Sequence, residues 1–319
     1  MLKKHKKELW IKLIYAGILL AFTVYLLLDT FVLTKKIVVV DNAQTTVADS
    51  TKTDTSTTIT QDNSSSSQNN SFGNTAIATA STYEDDNIKI TLTDYRENDT
   101  DIHVADITVS SAQYLKTAFA QSSYGKNITE KTSEIADNVN AILAINGDYY
   151  GAQENGYVIR NGVLYRATAK SGNEDLVVYA DGSFEIINEN DITAEELLEK
   201  GAQNVFAFGP ALVENGTVSV TEDEEVGKAM ASNPRTAIGI IDENHYVFVV
   251  ADGRTNDNEG LSLYELAEFM ESLGVQTAYN LDGGGSSTMY FNGEIINQPT
   301  TNGNSIKERS VSDIVYIGY

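Results

Sequence analysis

The sequence predicts a sheet-rich α+β domain, a mixed α/β globular unit with several hairpins and two helix-to-strand units, preceded by one transmembrane helix. Three features support this prediction: an apolar run near the N-terminus, a Ser/Thr-rich stretch after it, and then short apolar runs separated by Asn-Gly and Asp-Gly turns. The chain has 319 residues, 41% of them apolar, which is enough for a large core. Its lack of Cys excludes a disulfide scaffold, a thiol nucleophile and a thiolate zinc site. The net charge of −23 argues against nucleic acid as a partner.

The first segment, residues 1–36, is predicted to be a basic cytoplasmic end followed by a membrane anchor. It carries seven Lys and two acidic residues, and residues 13–33 form an apolar run interrupted near its end by Asp29. That length is close to the roughly 20 residues that a membrane-spanning helix needs. The alternative, a cleaved signal peptide, has a shorter apolar core and a small-residue cleavage site, which this segment lacks. Five Lys before the run and two after it predict a cytoplasmic N-terminus and an extracellular C-terminal domain in the cell membrane.

Residues 37–82 are predicted to be a flexible linker. From residue 41 to residue 82 the chain contains 8 Ser and 11 Thr and shows no apolar periodicity. Such a composition cannot bury enough apolar surface to offset the entropy lost on ordering. We therefore expect this stretch to hold the domain at 83–319 away from the membrane.

Within 83–319, β-sheet is expected to dominate. Val-, Ile- and Tyr-rich runs flank tight turns of the kind that join two antiparallel strands. The predicted hairpins lie at 157–165, 176–186, 211–218 and 236–251.

Two segments instead carry a helical period and then run into a strand. The first leads from residues 132–140 into a strand at 141–146. In the second, Ser262 and Glu265 form a capping-box signature, and Gly274 is a plausible stop before a strand at 275–281. The strands end alike, in Asn146-Gly-Asp148 and Asn280-Leu-Asp282. The carboxyl ends of strands in α/β sheets are where ligands bind, so both ends are candidate sites.

The strongest chemical signal is the run from Asp282 to Thr288, in which Gly283, Gly284 and Gly285 are followed by Ser286 and Ser287. Consecutive glycines are tolerated where backbone must approach a ligand closely, and exposed amides with hydroxyls would suit an anion such as a phosphate ester. A flexible hairpin loop with Asp282 as a turn residue is the alternative.

Carboxylates are the remaining candidates for catalysis. The three His are too scattered for a Ser-His-Asp triad or a three-His zinc site. Asp148, Asp252 and Asp282 each follow an apolar run, and paired carboxyl groups cleave glycosidic bonds. Three arginines, Arg235, Arg254 and Arg309, could bind a phosphate, although structural ion pairs are the default for Arg in so acidic a chain.

Six segments, taken in order, resemble the phosphodiester glycosidase family, which includes the lysosomal enzyme that uncovers mannose 6-phosphate and bacterial proteins related to exopolysaccharide biosynthesis. They are Ala144-Ile-Asn-Gly-Asp-Tyr-Tyr150, Phe208-Gly-Pro-Ala-Leu212, Asn233-Pro-Arg-Thr-Ala-Ile-Gly239, Val250-Ala-Asp-Gly-Arg254, Gly260-Leu261 and Tyr279-Asn-Leu-Asp-Gly-Gly-Gly-Ser-Ser-Thr-Met289. The resemblance covers roughly residues 85–319. The chain lacks the lysosomal member's cysteine-rich extensions and has Asn-Gly-Asp-Tyr-Tyr where that member has Asn-Gly-Gly-Phe-Phe.

The resemblance implies hydrolysis of a sugar 1-phosphodiester, and the sequence context suggests a cell-envelope or exopolysaccharide glycan as substrate. We expect Asp282 to be a catalytic carboxylate or to hold the sugar ring, with Asp148 as its partner. The expected substrate-binding residues are Asn146, Arg235, Asp252, Arg254, Asn280, Gly283, Gly284, Gly285, Ser286, Ser287 and Arg309. Among them, the glycines, Ser286, Arg235 and Arg309 would contact the phosphate.

Two other hypotheses stay open. The domain could be a non-catalytic module that binds or assembles envelope polysaccharide. A calcium-dependent site could form in the oxygen-rich segment 252–259, although this segment lacks EF-hand spacing. The primary expectation is an enzyme without metal or cofactor, whose partners are its glycan or sugar-phosphate substrate and the membrane.

Overall fold

The fold is built on a nine-stranded sheet in which every strand pair is antiparallel. A computed structural model describes residues 12, 15–26, 28, 33, 35–36, 76–222 and 232–319. Strands are numbered along the chain. In spatial order the nine are β15 (Thr217–Val218), β14 (Ala211–Glu214), β18 (Thr277–Asn280), β16 (Arg235–Asp242), β17 (His245–Ala251), β5 (Thr100–Val109), β4 (Ile88–Glu97), β3 (Thr82–Glu84) and β2 (Ile77–Ala78).

Two five-stranded antiparallel sheets and one strand pair accompany this large sheet. The first consists of β10 (Val163–Arg166), β9 (Val158–Arg160), β13 (Ala202–Phe206), β11 (Glu174–Tyr179) and β12 (Phe184–Asn188). The second consists of β20 (Glu294–Ile295), β19 (Met289–Phe291), β8 (Leu143–Asn146), β21 (Asp313–Ile317) and β6 (Leu115–Phe119). The pair is β1 (Lys35–Lys36) with β7 (Gly125–Lys126).

The three sheets share the largest apolar cluster, so they form one body. This cluster contains Ile107 and Phe248 from the nine-stranded sheet, Leu176 and Phe206 from the first five-stranded sheet, and Ile145 from the second. Burying each such side chain contributes about 1.5 to 3 kcal/mol. The described part of the chain from 76 onward therefore folds around a common core.

Each sheet carries one short helix on its outer face. Helix α1 (Thr132–Asn138) packs against the second five-stranded sheet, and α2 (Ala194–Glu199) against the first. Helix α3 (Leu263–Ser272) covers the nine-stranded sheet, with Leu266 and Met270 buried. The observed architecture confirms the prediction of a sheet-rich α+β domain.

The predicted hairpins and helix-to-strand units are present. The four hairpins are formed by β9 with β10, β11 with β12, β14 with β15, and β16 with β17. The capping box of Ser262 with Glu265 is formed, and Gly274 follows α3 with a φ of +81°. The first strand begins two residues later than expected, at Leu143, because residues 139–142 turn after α1.

The structure describes only part of the N-terminal segment for which a membrane anchor and a linker are predicted. Among those residues, no helix is both long and apolar enough to cross a membrane. Residues 15–26 are helical, with exposed apolar side chains, while the rest of the predicted anchor is described only in part. Most of the predicted linker, 37–75, lies outside the described residues. Strand β2 belongs to the nine-stranded sheet, so the ordered domain begins before residue 83.

Candidate active site

A cleft of about 250 Å³ opens where β18 ends and the Gly-rich segment begins. It is lined by residues from five separate stretches of the chain, which the antiparallel pairing brings together. These are Phe208, Asn233, Arg235, Arg254, Asn280, Leu281, Asp282, Gly283, Gly284 and Arg309. Seven of the ten are among the predicted site residues. Phe208, Asn233 and Leu281 were not predicted, although each lies in one of the segments that resemble the family.

Asp282 is the one carboxylate among the described residues that line this cleft. Its side chain is 14% exposed. Ser286 Oγ donates a hydrogen bond of 2.5 Å to its Oδ2, and Arg309 Nη2 lies 3.2 Å from the same oxygen. Burial raises the pKa of Asp282, while the Arg309 charge and the Ser286 hydroxyl act in the opposite direction. The carboxylate is therefore held in a fixed position and poised to take up a proton more readily than an exposed Asp.

Three arginines share the cleft with Asp282. Arg235 is buried and donates from Nε to the Leu261 carbonyl, at 2.8 Å. Arg254 donates to the Asn233 amide oxygen at 2.7 Å and to the Thr301 carbonyl at 2.7 Å, both neutral acceptors. Burial, and to a lesser extent the nearby Arg309 charge, lowers the pKa of Arg254. Arg309 lies beside Asp282, whereas Arg254 meets only neutral acceptors among the described residues, so its positive charge suits an anionic ligand.

The Gly-rich segment does not present the array of free amides that its sequence suggested. The amide of Gly284 donates to the Pro234 carbonyl, and those of Ser286 and Ser287 donate to carbonyls within a short 3₁₀ turn. These three amides are therefore not available to a ligand, and the positive charges of the cleft come from its arginines. Neither Gly285 nor Ser287 lines the cleft: Ser287 is fully buried, and a Cβ on Gly285 would lie 2.5 Å from Thr301.

Gly284 has a specific reason to be glycine. Its φ is +61°, and a Cβ there would lie 2.8 Å from Nη2 of Arg254. The missing side chain therefore leaves room for the Arg254 guanidinium against the loop. Gly284 thus allows the Arg254 side chain to pack against the loop and form one side of the cleft.

The two Asn-x-Asp strand ends contact each other, but their members have different positions. Asn280 lines the cleft, and its amide nitrogen donates to the Gly209 carbonyl at 2.8 Å. Its Oδ1 is buried and has no hydrogen-bond partner in the described structure. Asn146 lies behind the cleft wall, where its Nδ2 donates 2.5 Å to the Asp282 carbonyl and its Oδ1 accepts from Thr236. Asn146 therefore joins β8 to the Asp282 backbone.

Asp148 does not reach the cleft. Its side chain is fully buried in an ion cluster with Arg160 and Asp313, with Arg160 Nη2 at 2.9 Å from Asp148 and 2.8 Å from Asp313. The amides of Tyr150 and Ala207 also donate to Asp148. Burial raises the pKa of Asp313 to about 7 despite the Arg160 charge. The sequence did not predict Arg160 or Asp313, because their partners are distant in the chain.

Asp252 also lies outside the cleft. Its Oδ1 accepts from Asn297 Nδ2 at 3.0 Å and from the Gln298 amide at 2.9 Å, while Oδ2 lies 3.5 Å from His103 Nε2. These contacts fix the segment after β20 and the start of the Arg254 loop. For the predicted calcium segment, no group of three or more carboxylates and imidazoles within the described ranges is arranged to hold a metal ion.

Sequence comparison finds relatives of known family. A sequence profile of the phosphodiester glycosidase family matches residues 139–318. An SPbeta prophage-derived uncharacterized protein of Bacillus subtilis is 32% identical over 203 residues, 61% of this chain and 31% of that protein. The mouse N-acetylglucosamine-1-phosphodiester alpha-N-acetylglucosaminidase is 29% identical over 175 residues, 50% of this chain and 33% of the enzyme. The aligned part thus spans about a third of these curated relatives.

The fold agrees with a solved structure of the same family. The zebrafish N-acetylglucosamine-1-phosphodiester alpha-N-acetylglucosaminidase catalytic domain, auto-inhibited by its pro-peptide, superimposes with a TM-score of 0.59 at 22% identity. The superposition covers 73% of this chain and 83% of that domain. Since the family profile spans more than half of the chain and includes every residue that lines the cleft, the chain belongs to the phosphodiester glycosidase family.

Proposed function

We propose that this chain hydrolyses a glycosyl phosphodiester, releasing a free sugar and a phosphate monoester. The observation that carries the proposal is the juxtaposition of one buried carboxylate, Asp282, with three arginines in one cleft. The family membership and the enzyme names of its relatives support the same reaction class. In this reaction the bond between the sugar C1 and the phosphate oxygen breaks, and water supplies the new oxygen at C1.

The arginines bind the phosphate in this proposal. A phosphodiester carries one negative charge, and guanidinium groups donate two parallel hydrogen bonds to phosphate oxygens. Arg254 has no carboxylate within ion-pair distance in the described part of the chain, so its charge is available to a ligand. As the C1–O bond breaks, the phosphate gains a second charge, which the arginines also stabilise.

Asp282 acts on the sugar side of the bond. The leaving group is a phosphate monoester, whose second pKa is about 6, so it can depart at neutral pH without first taking a proton. One carboxylate is then sufficient, either as the base that accepts the proton of the attacking water or as the nucleophile at C1. Asp148 holds the surrounding backbone in this assignment, since Arg160 and two amides occupy its oxygens.

The sugar is proposed to lie against Asn280 and Phe208. The buried Oδ1 of Asn280 lacks a partner, and leaving such an acceptor unsatisfied costs about 1 to 3 kcal/mol. A sugar hydroxyl that donates to it would recover this energy. Phe208 lines the same cleft and offers an apolar face to a sugar ring.

The proposed setting is the cell envelope. The apolar run at 13–33 is proposed to anchor the chain in the membrane with the N-terminus in the cytoplasm, and residues 37–75 to connect it to the external domain. A glycan or sugar phosphate of the envelope is then the proposed substrate class. This part is supported by the charge and length of the N-terminal segment.

The test is turnover by the purified chain with a panel of sugar 1-phosphodiesters, and with the sugar 1-diphosphate UDP-N-acetylglucosamine beside them, while free reducing sugar is followed by NMR. We expect release of sugar by the parent chain and a loss of at least about a hundredfold in Asp282→Asn, because the amide cannot accept a proton or attack C1. Release at an undiminished rate by Asp282→Asn would contradict the assignment. Binding of envelope polymer with no release from any diester would instead favour the binding-module hypothesis, and activity lost on chelation would indicate a metal.

A further inference from the structure

A second recess adjoins the cleft at Arg254. Its volume is about 560 Å³, and Arg254 is the one residue that lines both spaces. The other lining residues come from the β4–β5 turn and from the loop that follows β17. They are Arg96, Asp99, Thr255, Asn256, Asp257 and Glu259.

The charge of this recess differs from that of the cleft. Its carboxylates, on Asp99, Asp257 and Glu259, are all exposed, and none has a Lys or Arg within 4 Å among the described residues. Arg96 does not neutralise them, because its Nη1 lies 2.7 Å from Asp101 and its Nη2 donates to the backbone carbonyl of Asp257. The cleft is thus rich in arginine, whereas the space beyond Arg254 is acidic.

The arginine-rich cleft and the acidic recess correspond to the two halves of a glycosyl phosphodiester. The phosphate against Arg254 has the sugar on one side, towards Asn280 and Asp282, and the esterified alcohol on the other. Because Arg254 lines both spaces, an alcohol group on the far side of the phosphate would lie towards the acidic recess. Like charges repel, so an anionic alcohol group would be disfavoured there and an amine-bearing one favoured.

We propose that the recess around Thr255 to Glu259 is the subsite for the alcohol esterified to the phosphate, and that it selects an uncharged polyhydroxyl or amine-bearing group over an anionic one. The side chains of Thr255 and Asn256 supply hydrogen-bond partners for hydroxyl groups, and the carboxylates supply the charge selection. This inference rests on the proposed hydrolysis and adds the chemistry of the leaving group to it.

The test uses the full chain and three diesters of one sugar 1-phosphate, chosen as the sugar that is released in the panel assay. The alcohol groups are glycerol, ethanolamine and glycerate, which are similar in size and are neutral, cationic and anionic. We expect kcat/KM for the glycerate ester to be about tenfold below that for the glycerol ester, with the difference shrinking at high salt. The ethanolamine ester should be hydrolysed at least as well as the glycerol ester.

The double variant Asp257→Asn/Glu259→Gln separates charge from structure. It should reduce the ratio of kcat/KM for the glycerol ester to that for the glycerate ester about tenfold, and it should lower kcat/KM for the ethanolamine ester relative to the glycerol ester. The anionic ester thus improves while the cationic ester worsens, which general damage to the fold would not produce. The control, Asp191→Asn/Glu195→Gln, removes two exposed carboxylates, one just before α2 and one in its first turn, and should leave both ratios unchanged.

Equal hydrolysis of the three parent esters, or equal ratios in the two double variants, would overturn the subsite assignment while leaving the proposed hydrolysis intact. No release from any of the three esters, with the panel substrate still hydrolysed, would likewise overturn the subsite assignment, whereas no release from any member of the panel would remove the proposed hydrolysis and this inference with it.

Discussion

The buried ion cluster behind the cleft allows a quantitative test of the structure. Replacing Arg160 with Met removes the cation that holds Asp148 and Asp313, including three ionic contacts of 2.8 to 2.9 Å. Both carboxylates have fully buried side chains. Removing one partner of a buried ion pair costs about 3 to 5 kcal/mol, because the remaining charge is left in the interior without compensation. We therefore expect Arg160→Met to lose about 4 kcal/mol of unfolding free energy at pH 7.

The loss should depend on pH in a defined direction. Burial raises the pKa of Asp313 in the parent to about 7, above its unfolded value of about 3.9, and removing the Arg160 charge, which acts in the opposite direction, should raise that pKa further. A group with a raised folded pKa favours folding below the unfolded pKa, and that contribution disappears as the pH rises through the folded pKa. Both proteins should therefore lose stability as the pH rises from about 4 to 7, and only the variant should continue to lose it above pH 7, by up to about 1.4 kcal/mol per pH unit.

Urea unfolding followed by circular dichroism at pH 7 and pH 8.5 measures both effects. The matched control is Lys89→Met, which removes an exposed cation 3.8 Å from Glu84 and should change stability by less than about 0.5 kcal/mol. The triple variant Arg160→Met/Asp148→Asn/Asp313→Asn leaves no charge in the cluster. It should therefore recover part of the lost unfolding free energy and should lack the pH dependence above pH 7. A loss below about 1 kcal/mol, equal at both pH values, would refute the reasoning.

Two further predictions concern the loop at the cleft and a second buried carboxylate. Gly284→Ala should raise KM for the phosphodiester, because the new Cβ displaces the Arg254 guanidinium. The control Gly172→Ala, at a φ of +73° with nothing within 4 Å, should impose similar backbone strain and leave KM unchanged. Equal KM values in both variants would contradict the steric explanation. Burial raises the pKa of Asp175 to about 9, so folding stability should fall as the pH rises from about 4 to 9. Asp175→Asn should reduce the slope of unfolding free energy against pH over that range by the equivalent of about one proton, as measured by urea unfolding at several pH values. An unchanged slope would count against this prediction.

The local features of the fold were predictable because their signals are local. The turns at Asn161-Gly162 and Asn215-Gly216 place both residues at positive φ, the backbone that two-residue hairpins require and that Asn and Gly tolerate best. The cap of α3 likewise depends on residues three positions apart. The short helix α2, which was not predicted, has an equivalent capping box at Thr193 and Glu196.

The site was predicted less completely, because its geometry depends on distant pairings. Arginines near a Gly-rich strand end indicated an anion site, and Arg235, Arg254 and Arg309 do converge on the cleft. Asp148 follows a strand just as Asp282 does, yet its side chain turns to Arg160, which has no local signal for this role. Sequence position gives the end of a strand but not the direction in which the next side chain points.

The assembly of the cleft from distant segments also has a consequence for how the protein folds. Asn146 reaches the Asp282 carbonyl across 136 residues of chain, and Arg309 reaches the Asp282 carboxylate across another 27. Bringing such distant residues together costs chain entropy before the contact itself can stabilise the fold. Proteins dominated by long-range contacts therefore fold slowly. No fragment that ends before residue 309 can contain the complete cleft. Recovery of activity during refolding should therefore lag behind recovery of the local hairpins.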